Sequence, residues 1–349
     1  MKMTERLRAS DQGLPATPGL LGLSCSHHVP AAISPGMNGR HIARAHVSSI
    51  GFIALLCSAV LAVGCGGGGS SETSSTATTV HQTTGSTHAN APSKAPHPTG
   101  PASADQFNAK DFGAPGAGTN RWLPLKPGTQ WVRQGFVNVG TRQLPHQVVT
   151  TVTDVTKQVD GVNTVAVVDQ DTNGGQIAEQ SIDWVAEDKQ GNVWYLGSYT
   201  ESYTGGQFVT ASDAWLAGVN GAKPGILMQA DPKTGTPAYT EDTVPGVETA
   251  TAQVAKTGQS QCVPFKCYKD VLAIQEGGEY KYFAPGVGQI STAPQGSGGK
   301  HEIEKLINLT QLSPSGLAKI SNLTLKLDRH AQVTAPDVFG NAPSAKRTL

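Results

Sequence analysis

The chain is 349 residues long, with 26 basic and 26 acidic side chains and a formal net charge of +0. No basic patch or basic domain stands out, which argues against a nucleic-acid partner held by its phosphates. Charged residues make up 15% and aromatic residues 6%, against 41 glycines and 22 prolines. So many chain punctuators imply numerous turns, a long linker, or both.

Residues 1–36 are rich in Pro, Gly, Ser and His and show no usable periodicity. Arg40 and Arg44 then precede an apolar run from Ile50 to Val63, with no acidic residue between them. A basic flank, a short apolar stretch and a small residue before a cut describe a secretory signal peptide. The run is about 14 residues, short of the roughly 20 that a spanning helix needs. Its end, Leu61-Ala62-Val63-Gly64-Cys65, resembles the lipobox of bacterial lipoprotein precursors. The resemblance implies that the Cys65 thiol receives a diacylglyceryl group and that the mature chain begins there. Ala62 stands where that family prefers Leu. Counting from Met37 gives a signal of ordinary length at 37–64, so residues 1–36 are expected to be a non-native N-terminal extension. The expected location is outside the cytoplasm, on the outer face of the cytoplasmic membrane or, in a two-membrane envelope, on the outer membrane.

Residues 65–104 read as a disordered tether. From Gly66 onward the segment has no Leu, Ile, Phe, Trp or Tyr, and only Glu72 and Lys94 are charged. Such a chain cannot bury enough apolar area to offset its conformational entropy. Its expected r.m.s. reach is roughly 35 Å, enough to hold a domain clear of a membrane surface.

Residues 105–335 are expected to form one β-rich domain. Val148 to Lys157 is dense in β-branched residues, and Asp160-Gly161 follows as a hairpin signal before Val162 to Asp169. Turns are expected at 171–175 and 188–191, bounding strands over 176–187 and 192–201. Further strands are expected at 208–215, 238–244, 248–256, 267–276, 279–284 and 300–312. Short connections between successive strands predict a large antiparallel meander sheet, curved or half closed into a barrel. Leu317, Ile320, Leu323, Leu327 and Ala331 recur at helical steps behind Ser313-Pro314-Ser315, predicting one amphipathic helix over 315–331. Residues 336–349 read as a loose tail.

Several residues carry candidate chemistry. Cys262 and Cys267 flank a turn-like Val-Pro-Phe-Lys and are expected to form a structural disulfide in an oxidising compartment. Redox pairs usually take the form Cys-X-X-Cys, and no His lies nearby to complete a metal site. Asp169, Asp171 and Asn173, followed by Gly174, match the first half of a calcium loop. An acidic hairpin turn accounts for the same residues, because Asp, Asn and Gly are turn formers. No cofactor other than that calcium is implied. Trp184, Trp194, Tyr195 and Trp215 could form an aromatic platform for a ligand or simply the core of a sheet covered on both sides. Asp183, Glu187 and Asp188 could supply carboxylates for glycoside hydrolysis. There is no Gly-X-Ser-X-Gly elbow, phosphate loop or His-Glu-X-X-His.

Pro124-Leu-Lys-Pro-Gly-Thr-Gln-Trp131, Gly191-Asn-Val-Trp-Tyr-Leu-Gly197, Ala217-Gly-Val-Asn-Gly-Ala-Lys-Pro-Gly225 and Ala284-Pro-Gly-Val-Gly288 carry a further resemblance. In these motifs the body is similar to a family of uncharacterised secreted bacterial β-rich proteins, often lipoproteins. The resemblance implies a fold and a location but no activity. The expected role is that of a lipid-anchored envelope protein binding an unidentified ligand or protein partner without catalysis. The alternative is a secreted hydrolase acting on envelope polysaccharide.

Overall fold

The computed structural model describes residues 103–116, 118–296 and 302–348. The leader, Cys65 and all but the last two residues of the tether lie outside the described residues. Fourteen strands follow in chain order. They are β1 (Thr129–Val139), β2 (Arg142–Val159), β3 (Val162–Asn173), β4 (Gln176–Glu187), β5 (Val193–Thr204), β6 (Gln207–Leu216) and β7 (Lys223–Met228). Then come β8 (Tyr239–Val244), β9 (Glu248–Cys262), β10 (Cys267–Glu276), β11 (Glu279–Ala284), β12 (Gly288–Pro294), β13 (Glu302–Gln311) and β14 (Lys346–Arg347). Two helices, α1 (Pro314–Thr334) and α2 (Pro336–Phe339), precede β14.

The meander expected from the turns is there, and it closes completely. Every neighbouring pair is antiparallel, and β1 pairs with both β2 and β13, completing a barrel of 12 strands. Closure removes the unpaired edges that an open sheet would present. β6 and β14 stand off the ring, against β5 and β2. Asp160 and Gly161 both take positive φ (46° and 80°), the geometry a two-residue hairpin demands. The next hairpin turns only at Gly174-Gly175, since β3 runs through Asn173. The expected turn at 171–175 is therefore corrected: Asp171 lies in the strand.

Successive side chains of a strand point to opposite faces. Trp131, Val152, Ile290 and Leu306 belong to an apolar cluster inside the ring. Ala166, Val168, Ile182 and Trp184 face outward, in one cluster with Leu327, Ala331 and Phe339 of the helices. Helix α1 starts where expected: Ser313 caps it, its side chain accepting from Gly316 N at 3.2 Å, with Pro314 in the first turn. It crosses the outer wall on a partly polar seam. Lys157 Nζ of β2 meets Asp328 Oδ1 at 2.8 Å, and Ser321 donates to Asp154 at 2.6 Å.

The reading of 336–349 as a loose tail is corrected. Phe339 is fully buried, β14 pairs with β2, and Arg347 holds Asp154 at 2.6 Å. One anchored aromatic and one ion pair order a segment whose composition looks like linker. The faces of β5 do not follow simple alternation along the whole strand. Trp184 pairs with Gly197 but Val185 pairs with Tyr195, so Leu196 is an extra residue that reverses the alternation. Tyr195 consequently faces the interior, while Tyr199 faces α1 and bonds Thr334 at 2.8 Å. The same strand changes partner along its length: Gly197–Thr204 pairs with β6 and Val193–Tyr195 with β7.

Candidate functional site

The barrel interior is layered. Where the strands begin near the 123–125 segment, Leu123, Leu125, Trp131, Val152, Val167, Val185 and Leu227 enclose an apolar floor. Above it Arg133, Thr150, Asp169, Asp183 and Gln289 complete the wall of an internal cavity of about 50 Å³. Its lining comes from β1, β2, β3, β4, β7 and β12, strands on different sides of the ring, which places it inside. A single water needs roughly 10–15 Å³ on this measure, so there is room for three or four waters, or for a ligand of that size.

Strand period explains why acids gather here. On β3, Val165, Val167, Asp169 and Asp171 share one face, two apolar residues at the floor and two acids above. Higher still, Glu302 and Glu304 of β13 and His146 of β2 face the same space. Arg133 Nε donates to Glu304 Oε1 at 2.8 Å and Arg133 Nη2 to Thr150 Oγ1 at 2.9 Å. Thr292 and Gln289 also donate to Glu304 Oε1. His146 Nε2 lies 2.8 Å from Glu302 Oε1, and its Nδ1 lies 2.7 Å from Asn173 Oδ1. Lys281 bonds Glu276 at 2.6 Å. Asp183 accepts from Tyr195 OH at 2.8 Å and from Ser198 at 3.2 Å.

Among the described residues Arg133, His146 and Lys281 are the interior cations that pair with carboxylates, and burial raises the proton affinity of several of the remaining acids. Burial raises Asp183 to about 8, helped by the charge of Asp169 and opposed by the two hydrogen bonds. Burial raises Asp169 to about 6, with Arg133 pulling the other way. Glu179 rises to about 8 through burial and then the charges of Asp213 and Glu302, and Glu279 to about 7 through burial and Glu302. Asp171 is pushed well above the carboxylate range by burial and the charge of Glu179. Burial alone would lower His146, but its hydrogen bond to Glu302 wins and lifts it to about 9. Asp169 Oδ1, Asp171 Oδ1 and Glu304 Oε2 are buried with no hydrogen-bond partner among the described residues.

The sequence-predicted residues end up in different places. Asp169, Asp171 and Asn173 do not curl into a calcium loop; they alternate along a strand and line one face. That corrects both earlier readings of them, as calcium loop and as turn. Trp184, Trp194, Tyr195 and Trp215 form no exposed platform, each being at most 3% exposed. Trp184 packs under the helices, Trp194 against Phe107 and Phe112, and Tyr195 edge-on to Trp215. Glu187 and Asp188 are structural: Glu187 accepts from Thr119 and Asn120, and Asp188 from Asn192 and the Trp194 indole. Only Asp183 of that acidic trio reaches the cavity. Cys262 and Cys267 are bonded, their Cα atoms 3.9 Å apart across the β9–β10 ladder. Sequence reasoning passed over Arg133, His146, Glu302 and Glu304. The alternation of Glu302, Glu304 and Leu306 was the available signal.

No protein-family model matches the chain, and no curated protein matches it. A solved structure of a candidate exported protein with a YmcC-like fold, from Bacteroides fragilis, aligns at 11% identity with a TM-score of 0.25. The alignment covers 55% of this chain and 100% of that one, and so distant a likeness defines neither fold nor role.

Proposed function

We propose that the mature chain is an exported, lipid-anchored envelope protein whose barrel holds a small polar ligand. Export and anchoring rest on the signal-like stretch 37–64 and on Cys65 in its lipobox setting. Ligand binding rests on one observation: a cavity with apolar walls on one side and Arg133, Asp169, Asp183 and Gln289 on the other. A few converging polar groups in an otherwise apolar hollow are the usual make-up of a small-molecule site. Its size suits a ligand of a few heavy atoms rather than an acyl chain. A polysaccharide hydrolase would need a cleft that a polymer can cross, and Glu187 and Asp188 are committed to holding neighbouring loops.

Native mass spectrometry of the protein purified from its own cells tests the binding. A small adduct is expected in the wild type and lost in Val167→Phe, which fills the hollow; identical spectra would refute the reading. Anchoring is tested separately. Cys65→Ser should leave an uncut precursor without lipid mass, and a variant that still partitions into detergent like the wild type would overturn it.

A further inference from the structure

His146, Glu302 and Glu304 bring one ligand atom each to within 4.8 Å of one another on the interior wall. Their surroundings are ordered as those of a metal centre would be. Asn173 Oδ1 can accept only from a protonated Nδ1, so Nε2 is the nitrogen that faces the glutamates. A carbonyl or carboxamide on the far nitrogen is how proteins usually orient a metal-binding imidazole. Arg133, Thr292 and Gln289 all bond Glu304 through Oε1, which fixes the carboxylate. They leave Oε2, on a side chain only 3% exposed, with no hydrogen-bond partner among the described residues. That orphaned oxygen is a second observation, independent of the crowding of acids, because burying it without a partner is costly. Asp171, one ladder step away on β3, has another buried orphan in Oδ1.

We propose that His146 Nε2, a Glu302 oxygen and Glu304 Oε2 bind one divalent transition-metal ion of the zinc class inside the barrel. One imidazole and two carboxylates suit such an ion, whereas calcium and magnesium take all-oxygen shells. Ligand atoms on a tetrahedral ion at about 2.1 Å stand about 3.4 Å apart, so side-chain torsions can close the set without moving the strands. Three protein ligands leave one position open, and the buried Oδ1 of Asp171 is a further oxygen nearby. The site lies above the cavity, and the inference does not depend on what the cavity holds.

The test uses the full-length chain, stripped by a chelator and titrated with zinc chloride against a chromophoric competitor. The chain should take up one zinc ion more than a His146→Gln/Glu302→Gln double variant. Asn173→Ala should weaken that ion by about 10- to 100-fold, as loss of an orienting partner does. Glu302→Gln alone is nearly isosteric; its far-ultraviolet dichroism should match the wild type, and its zinc affinity should fall at least tenfold. Cobalt loading gives an independent reading, since its visible absorption should differ between wild type and His146→Gln. Equal zinc uptake by wild type and double variant, including none by either, overturns the proposal, as does an unchanged affinity in a folded Glu302→Gln chain.

Discussion

Asp183 shows how much one interior side chain carries. It accepts from Tyr195 OH and Ser198 while burial holds its proton affinity up to about 8. Asp183→Ala should cost about 1–3 kcal/mol in urea denaturation, because two buried hydroxyls lose their acceptor. Asp183→Asn keeps an acceptor and removes the ionisable group, so at pH 9 it should match or exceed the wild type in stability. A large loss in the Asn variant would show that the charge, and not the acceptor, is what the fold requires. The Cys262–Cys267 bridge closes a very short loop between β9 and β10. Its removal by paired Ser substitutions should cost only about 2 kcal/mol on the chain-entropy estimate. Intact mass after alkylation, with and without reductant, checks that the bridge forms; two freely alkylated thiols in the unreduced exported chain would contradict it.

Helix α1 is tied to the wall by a charge pair as well as by apolar packing. Lys157 and Asp328 are each at most 2% exposed, and Lys157 also sits near the rings of Trp184 and Phe339. Asp328→Ala leaves a buried ammonium unpaired and should destabilise by about 3–5 kcal/mol, whereas Lys157→Met/Asp328→Leu should recover most of that. A double variant no better than the single one would mean that the pair contributes net stability. The helix itself was legible, since helical spacing and the Ser313-Pro314 start are local signals, and so were the hairpin at Asp160-Gly161 and most strands. What escaped notice was set by partners distant in sequence. The extra residue at Leu196 exists only relative to the β4 register, so the faces of Tyr195 and Tyr199 could not be assigned from β5 alone. Asp169, Asp171 and Asn173 satisfy a turn composition and a period-2 strand equally well. The decision lay with β2 and β4, which pair along their whole length. The docked tail was missed for a similar reason: Arg347 is ordered by Asp154, nearly two hundred residues earlier.

For the molecule as a whole, the charged interior sets a pH dependence whose sign is fixed. Asp169, Asp183, Glu179 and Glu279 have folded-state values of about 6, 8, 8 and 7, all above those of unfolded carboxylates. Between roughly pH 4 and 8 the folded chain therefore binds more protons than the unfolded one, and stability falls as pH rises. His146 acts in the same direction: its folded value near 9 lies above 6.5, so its contribution is complete below about pH 6.5 and lost as pH rises through 9. In chelator, the thermal midpoint should decline from pH 5 to pH 9, and less steeply in Asp183→Asn. A midpoint that rises over that range would contradict the protonation of the interior acids. Zinc added at pH 8 should restore part of the loss, since a ligand bound to the folded state stabilises it by mass action.

The double pairing of β1 also has a kinetic side. Its neighbour β2 follows at once, but its other neighbour supplies Gln311, 182 residues after Thr129. Contacts that distant are slow to find, because a long loop must be ordered before any of them forms. Arg133 meets Glu304 only at that last step, so the buried charge and the seam of the wall form together. A chain threaded through a membrane from its N-terminus would deliver β13, α1 and the docked tail last. It would have to remain an unclosed ribbon until nearly all of it had emerged.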